Sequence, residues 1–514
     1  MAAKPVPDYS DNNQLFIFYI YYNYLKKTHQ GSEFLTYSIN IGEMKKRLRF
    51  CILTIILGFP GLFLYAQGYQ AINGSPYAGS TGIFNNPAAS IQSAYKWDLT
   101  LFSTQLKLST NSLYLKNFTL TKNDSAGITL KDGFASHYIH SNIDLSLFNF
   151  LYKIDNTKAF TVGLRGRTYN HMKTQAFNYV DSTVNSFHSF LVANRNTSYI
   201  EGFITHAGWL EADLNYSQVL FETNTSKLSG GITLQIMKGL SGAFMKINKV
   251  SYLEEKNPNG TDTAYTFTNG SGSFGYSDNY DQSSAKEFLK NSKTAFGLSL
   301  GIEYLVYNPD INIGINTNLN YDWKIGVSLM DIGANSFKPS QYSSQFYAPN
   351  AAISDGTMDM KISGVKNIRD FRDSLNTIFT TNTTLTDNFT ISMPTRLIVN
   401  VDKNLGNHVY VNGEMSMNFY STSSYTKLRT RELNLLTITP RFETIGFGAY
   451  LPVQYNTQGQ LWVGAALKLG PVILGVHSLG IFKKDPTLNG GGYLLLSIHP
   501  FSKKKVLGKL DCPD

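Results

Sequence analysis

The sequence predicts an all-β protein: a transmembrane antiparallel β-barrel of about 14 strands with a short N-terminal plug-like segment. Three observations carry that prediction. A basic run, Met44-Lys45-Lys46-Arg47-Leu48-Arg49, precedes an apolar stretch, Phe50 to Leu64, and a small residue at Ala66. That is the layout of a secretory signal. Beyond it, short segments alternate apolar and polar residues with a period of two, as strands with one greasy and one wet face do. No stretch after the signal is apolar over the roughly 20 residues that a membrane helix needs.

The signal divides the chain. Residues 1–43 read as an extension ahead of the natural start. Residues 44–66 are the signal peptide, 67–94 the plug segment, 95–501 the barrel and 502–514 a flexible periplasmic tail. Cys51 lies in the signal and Cys512 in the tail, so no internal disulfide is expected. Charged residues are 16% of the chain, below the roughly 25% of ordinary soluble domains. The net charge is +9, yet no Lys/Arg run is interleaved with aromatics. Nucleic acid is therefore not an expected partner.

Within the plug segment, Gly79 to Gly82 are small enough to thread a crowded space. Asn86 suits a helix N-cap and Pro87 a first helical position. Ala88 to Ala94 should then form one or two helical turns. Gly82, Asn86, Pro87 and Ala88 are its defining residues, and nothing in the stretch can do acid–base or nucleophilic chemistry.

The strands follow from Trp97. Phe160, Val162 and Leu164 oppose Thr161, Gly163, Arg165 and Arg167. Leu210, Ala212, Leu214 and Tyr216 oppose Glu211, Asp213, Asn215 and Ser217. Ile232, Leu234 and Ile236 oppose Gly231, Thr233 and Gln235. Leu298, Leu300 and Ile302 oppose Ser299, Gly301 and Glu303. Trp323, Ile325, Val327 and Leu329 oppose Lys324, Gly326 and Ser328. Val409, Val411 and Met415 oppose Tyr410, Asn412 and Glu414. Leu435 to Phe442 and Ile445 to Pro452 read as a hairpin. Leu461 to Leu469 and Val472 to Leu479 read as another, turning at Gly470-Pro471. Gly492 to Ile498 is the last strand. Lengths of about 8–11 residues suit tilted membrane crossings. Trp209, Tyr216, Trp323, Tyr410 and Phe419 suit interfacial girdles. The polar stretches Tyr169 to Ser198, Leu253 to Thr294 and Phe337 to Ile391 read as extracellular loops, with a short helix at Ser284 to Lys293.

The polar faces supply the candidate site. Arg165, Arg167, Glu211, Asp213, Glu303, Lys324, Glu414 and Arg441 should project into the lumen. Two readings stay open: a salt-bridge network that fills a closed barrel, which is preferred, or a constriction that selects solutes. No Ser-His-acid spacing distinguishes His206, His408, His477 or His499, and no metal or phosphate motif is present. The expected protein is non-enzymatic and takes no cofactor or metal.

Four stretches carry a resemblance. "NNPAAS" (Asn85 to Ser90) resembles the Asn-Pro-Ala element of the long-chain fatty acid transporter superfamily, shared by the type IX secretion shuttle barrels. "SLMDIG" (Ser328 to Gly333), "MPTRLIVNVDKNL" (Met393 to Leu405) and "GFGAYLPVQYN" with "LWVGAALKLGPVILGVHSLG" (Gly446 to Gly480) resemble a Bacteroidota family of outer-membrane barrels of unknown function. The resemblance spans Gln67 to Phe501. It implies an outer-membrane location, lipid as surroundings and the barrel-assembly machinery during biogenesis, and it lends no catalytic residues. Some relatives continue into a calcium-binding linker and a peptidoglycan-binding domain, and anchoring by that route is not expected here. The function expected is a pore, carrier or scaffold. The alternatives are a transporter of hydrophobic small molecules, a secretion-associated scaffold with a protein partner, and a secreted soluble adhesin.

Overall fold

A computed structural model describes residues 69–118, 127–180, 186–256, 263–282, 284–307, 319, 321–350, 353–419, 427–484 and 486–500. The signal peptide, the extension before it and the tail lie outside the described residues.

Fourteen antiparallel strands close into a barrel. Closure is direct: Trp97–Thr110 pairs with Gly133–Lys153 on one side and with the last strand, Gly492–Ile498, on the other. Between them the chain runs up and down through Lys158–Tyr179, Tyr199–Glu222, Ser226–Lys256, Thr294–Tyr307, Tyr321–Phe337, Arg396–Gly406, Val409–Asn418 and Leu435–Glu443. Three further crossings complete the ring. Phe447–Tyr450 continues into Val453–Asn456, Leu461–Val463 continues into Ala465–Leu469, and Val472–Val476 follows.

The wall is built inside out. Leu436 and Ile438 are 54% and 53% exposed, whereas their neighbours Thr437 and Thr439 are 1% exposed. Such a strand buries its polar face and offers its apolar face to the surroundings. In water that exchange is unfavourable; in lipid it satisfies every backbone group in a closed sheet while matching the acyl chains. Exposed Leu234, Leu300, Ile325 and Leu467 continue the apolar band around the ring.

Short turns at 154–157, 223–225, 407–408, 444–446 and 470–471 gather at one end. The other end carries the longer connections. Both the plug segment and the end of the last strand sit at the short-turn end.

The stretches read as loops are largely ordered structure. Lys158–Tyr179 and Ser226–Lys256 extend well beyond the apolar band. The upper half of Ser226–Lys256 pairs with Thr263–Tyr276, which pairs with Ser344–Pro349, which pairs with Phe379–Thr384. Helices Phe187–Ala193, Asp355–Ser363 and Ile368–Ile378 cover this extension. Phe177, Phe190, Tyr265, Phe267, Phe371 and Leu375 pack its core. These segments lack greasy-against-wet alternation because they stand in water on both flanks and pack as a small soluble layer. The short helix was legible, and it forms over Ala285–Asn291.

Two girdle expectations are corrected. Tyr216, Trp323 and Phe419 face outward, 41%, 41% and 59% exposed, but Trp209 and Tyr410 are buried in the lumen. Trp209 shares its face with Glu211 and Asp213, and Tyr410 with Asn412 and Glu414. The period-two rule overrides aromatic character.

Candidate functional site

Residues Tyr69 to Gln92 enter the lumen from the short-turn end. They form two 3-10 segments, Tyr69–Ile72 and Pro76–Phe84, and one α-turn, Ala89–Gln92. The α-turn starts later than the proline suggests. Asn86 Oδ1 accepts from the Ala88 amide at 2.9 Å, so Asn86 caps the turn that leads into the helix. Gly82 permits the fold-back, since a Cβ there would meet the Ala89 methyl at 3.0 Å.

Polar side chains hold this segment to the wall. Asn86 Nδ2 donates to the Ile302 carbonyl at 3.0 Å, and Asn215 Nδ2 donates to the Pro87 carbonyl at 3.0 Å. The Ser80 amide donates to Asp98 at 2.7 Å, Ser75 to Glu443 at 2.6 Å and Gln92 to Ser229 at 2.7 Å. Two wall glycines make the seat. A Cβ at Gly301 would lie 2.0 Å from Asn86 Oδ1, and one at Gly231 would lie 2.2 Å from the Pro87 carbonyl oxygen. The wall is thus cut to the shape of Asn86-Pro87.

Above this segment an ionic layer crosses the lumen. Arg165 donates to Glu211 at 2.8 Å and to Asp144 at 3.1 Å, with Asp213 at 3.7 Å. Arg167 grips Asp331 with its two terminal guanidinium nitrogens, at 2.8 and 2.9 Å, and donates to Tyr169 Oη at 2.5 Å. Tyr169 donates to Glu432 at 3.0 Å, and Lys107 donates to Glu432 at 3.1 Å. The Phe84 ring of the plug segment lies 3.8 Å from the Arg165 guanidinium carbon, so segment and network touch. A charge buried without a partner is costly, and mutual pairing is the physical solution.

The other candidates fall elsewhere. Arg441 pairs bidentately with Asp402, at 2.7 and 2.8 Å, and with Glu443 at 3.0 Å. Glu414 accepts from Asn85 at 2.8 Å and Asn73 at 3.2 Å, both in the N-terminal segment. Glu303 and Lys324 line a small cavity beside that segment and form no ion pair with each other among the described residues. Of the histidines, His206 bonds Asn170 and Ser241, His477 meets Gln454, His499 stacks on Tyr95, and His408 occupies a tight turn.

The polar faces left several partners unread: Lys107, Asp144, Asp331, Asp402, Glu432 and Glu443. Asp331 and Asp402 stood inside the quoted motifs "SLMDIG" and "MPTRLIVNVDKNL". Glu432 lies beyond the strands, in a stretch with no periodicity to place it.

Asp331 also marks a seam in the wall. In Tyr321–Phe337, Met330 and Asp331 both face inward, and Asp331 has φ +58. Pairing with Thr294–Tyr307 skips from Leu329↔Leu300 to Ile332↔Leu298, which is a β-bulge. Across it, the Asp331 amide donates to Ser299 Oγ at 3.0 Å in place of a ladder bond. On the other flank, Phe389–Ser392 pairs above and Arg396–Gly406 below. The Met393 amide still donates to the Gly333 carbonyl at 2.9 Å, but Pro394 and Thr395 interrupt the ladder below it, and proline has no N–H to offer. Thr395 Oγ1 donates to the Asp331 carbonyl at 2.8 Å. Phe296 and Leu300, 64% and 40% exposed, flank the seam outside. Inside, Tyr169, Trp209, Met237, Phe337, Ile391 and Met393 form an apolar cluster. Phe389 stacks on Phe337 at 5.5 Å and meets Phe244 at 5.2 Å. Phe244 lines a cavity of about 420 Å³.

A family model, described as a family of unknown function (DUF5723), matches residues 87–476. The chain belongs to DUF5723. The match opens on Pro87 and closes with the strand Val472–Val476, so this DUF5723 region takes in the α-turn, the seam and most of the ring. No curated protein matches the DUF5723 chain. Among solved structures it is similar to a FadL homologue of Pseudomonas aeruginosa, at 11% identity and TM-score 0.39, covering 84% of this chain and 96% of that one. It is also similar to the toluene transporter TbuX of Ralstonia pickettii, at 11% identity and TM-score 0.36, covering 82% and 92%. A third is a mutant of the monoaromatic hydrocarbon channel TodX, at 8% identity and TM-score 0.38, covering 82% and 93%.

Proposed function

We propose that this chain sits in the outer membrane and admits small, largely apolar molecules sideways from the lipid, with no catalytic step. The observation that carries the reading is the seam at Asp331. There a bulge on one flank and a proline on the other break the ladder, side-chain bonds bridge part of the gap beside one backbone bond from Met393 to Gly333, and exposed apolar residues lie outside with an apolar cluster inside. The axial route supports the same reading, because the N-terminal segment and the ionic layer occupy the lumen at the short-turn end. The N-terminal segment is its stopper, held by hydrogen bonds that are individually weak. The filled ionic layer favours a second reading, a scaffold barrel with a protein partner.

The test compares cells with and without the chain. Uptake of a radiolabelled alkylbenzene should rise with the protein, while entry of a hydrophilic disaccharide stays flat. A rise in disaccharide entry would make the barrel an open pore. No rise in either would leave the scaffold reading standing and remove this one.

A further inference from the structure

Directly above Glu432, on the long-loop side of the ionic layer, the lumen contains a partly open cavity of about 30 Å³. His140, His171, Arg431 and the carboxylate Glu432 line it, together with Asn418 and Asn434. His140 is 3% and His171 9% exposed, and their ring centroids lie 6.0 Å apart with the planes tilted by 59°. His140 Nε2 and both ring nitrogens of His171 find no hydrogen-bond partner among the described residues. Buried polar atoms in a protein are nearly always satisfied, so an unpartnered nitrogen on each of two rings beside one cavity points to an occupant.

The charges around the cavity choose its chemistry. Lys107, Lys173 and Arg431 act on the two rings, against the single carboxylate Glu432. That carboxylate is already used: Asn142 and Tyr169 donate to Oε1 and Lys107 donates to Oε2. No free carboxylate remains to offer a cation, and Arg431 repels one. A neutral imidazole presents an N–H from either nitrogen by choice of tautomer, so both rings can donate inward beside the guanidinium. One water needs about 10–15 Å³ of such volume, so the cavity admits about two waters or one small ion. That space suits a small ion better than phosphate.

We propose that this cavity is a binding site for a monovalent anion of halide size, held by His140, His171 and Arg431. The site lies apart from the seam, and its existence does not depend on what the barrel transports.

Chloride-35 NMR on the folded protein in detergent tests it. The chloride line should broaden with wild type, and bromide should compete the broadening away. In H140L/H171L, whose folding is checked by heat-modifiable gel mobility, the excess width should fall at least fivefold. Should that variant not fold, R431Q must show the same loss. No excess broadening with wild type, or broadening unchanged in the folded variant, would overturn the proposal and leave the cavity to water.

Discussion

Replacing Gly231 with leucine should unseat the N-terminal segment. A Cβ at that position lies 2.2 Å from the Pro87 carbonyl oxygen and 2.3 Å from its carbon. Both are backbone atoms and cannot rotate away. In a close-packed interior the segment must therefore retreat by about 1 Å. Retreat stretches the Asn215 bond to Pro87, the Asn86 bond to Ile302 and the Ser90 bond to Asn215, now 3.0, 3.0 and 2.8 Å. At about 1 kcal/mol each for the three hydrogen bonds, and about 1–3 kcal/mol for overpacking, seating weakens by about 4–6 kcal/mol. The seated-to-released ratio then falls by more than a hundredfold. Hydrogen exchange with mass spectrometry reads this directly as lost amide protection over residues 69–92. Gly446→Leu is the control, because a Cβ there meets nothing within 4 Å. Equal protection in G231L and wild type would refute the argument that the wall glycines form the seat.

Three other outcomes follow from the same geometry. Asp331→Ala strips the buried Arg167 of its bidentate partner, and denaturant titration should show about 3–5 kcal/mol lost; a loss below 1 kcal/mol would mean that the network relaxes freely. Ile438→Arg places a charge on the lipid face, and folding into vesicles should be about 2–4 kcal/mol less favourable if it lies near the midplane; unchanged folding would contradict the outward assignment of Ile438. Phe371→Ala, at a 2% exposed residue of the soluble layer, should cost that layer about 3–5 kcal/mol. Limited proteolysis should then cut within 340–390 while heat-modifiable mobility persists, and simultaneous loss of both would mean that barrel and layer unfold as one unit.

The barrel was legible because lipid enforces a simple rule. Wherever one flank meets acyl chains and the other a polar lumen, period two appears, and residues such as Arg165, Glu211 and Arg441 were placed on the inner face by parity alone. Parity even outranked side-chain character at Trp209 and Tyr410. Legibility stopped where that asymmetry stopped. The extension built on Thr263–Tyr276 and Ser344–Pro349 has water around it, so its strands carry no membrane signature. The ion-pair partners were hidden for another reason. Arg167 and Asp331 stand on strands four places apart around the ring, and only the curvature of the closed wall brings them together. The bulge flips parity between Met330 and Asp331, so a regular reading could not follow Tyr321–Phe337 past its midpoint.

The proposed crossing point for apolar molecules is the seam beside Asp331. Ala334 and Ser392 are paired residues just above it. In A334C/S392C a disulfide would tie Phe389–Ser392 to its neighbour and hold the seam shut. Alkylbenzene uptake should be near wild type with the cysteines reduced, fall to the level of cells lacking the protein on oxidation, and return on reduction. Uptake that is equal in the oxidised and reduced states, with the disulfide verified by mass spectrometry, would contradict the lateral route.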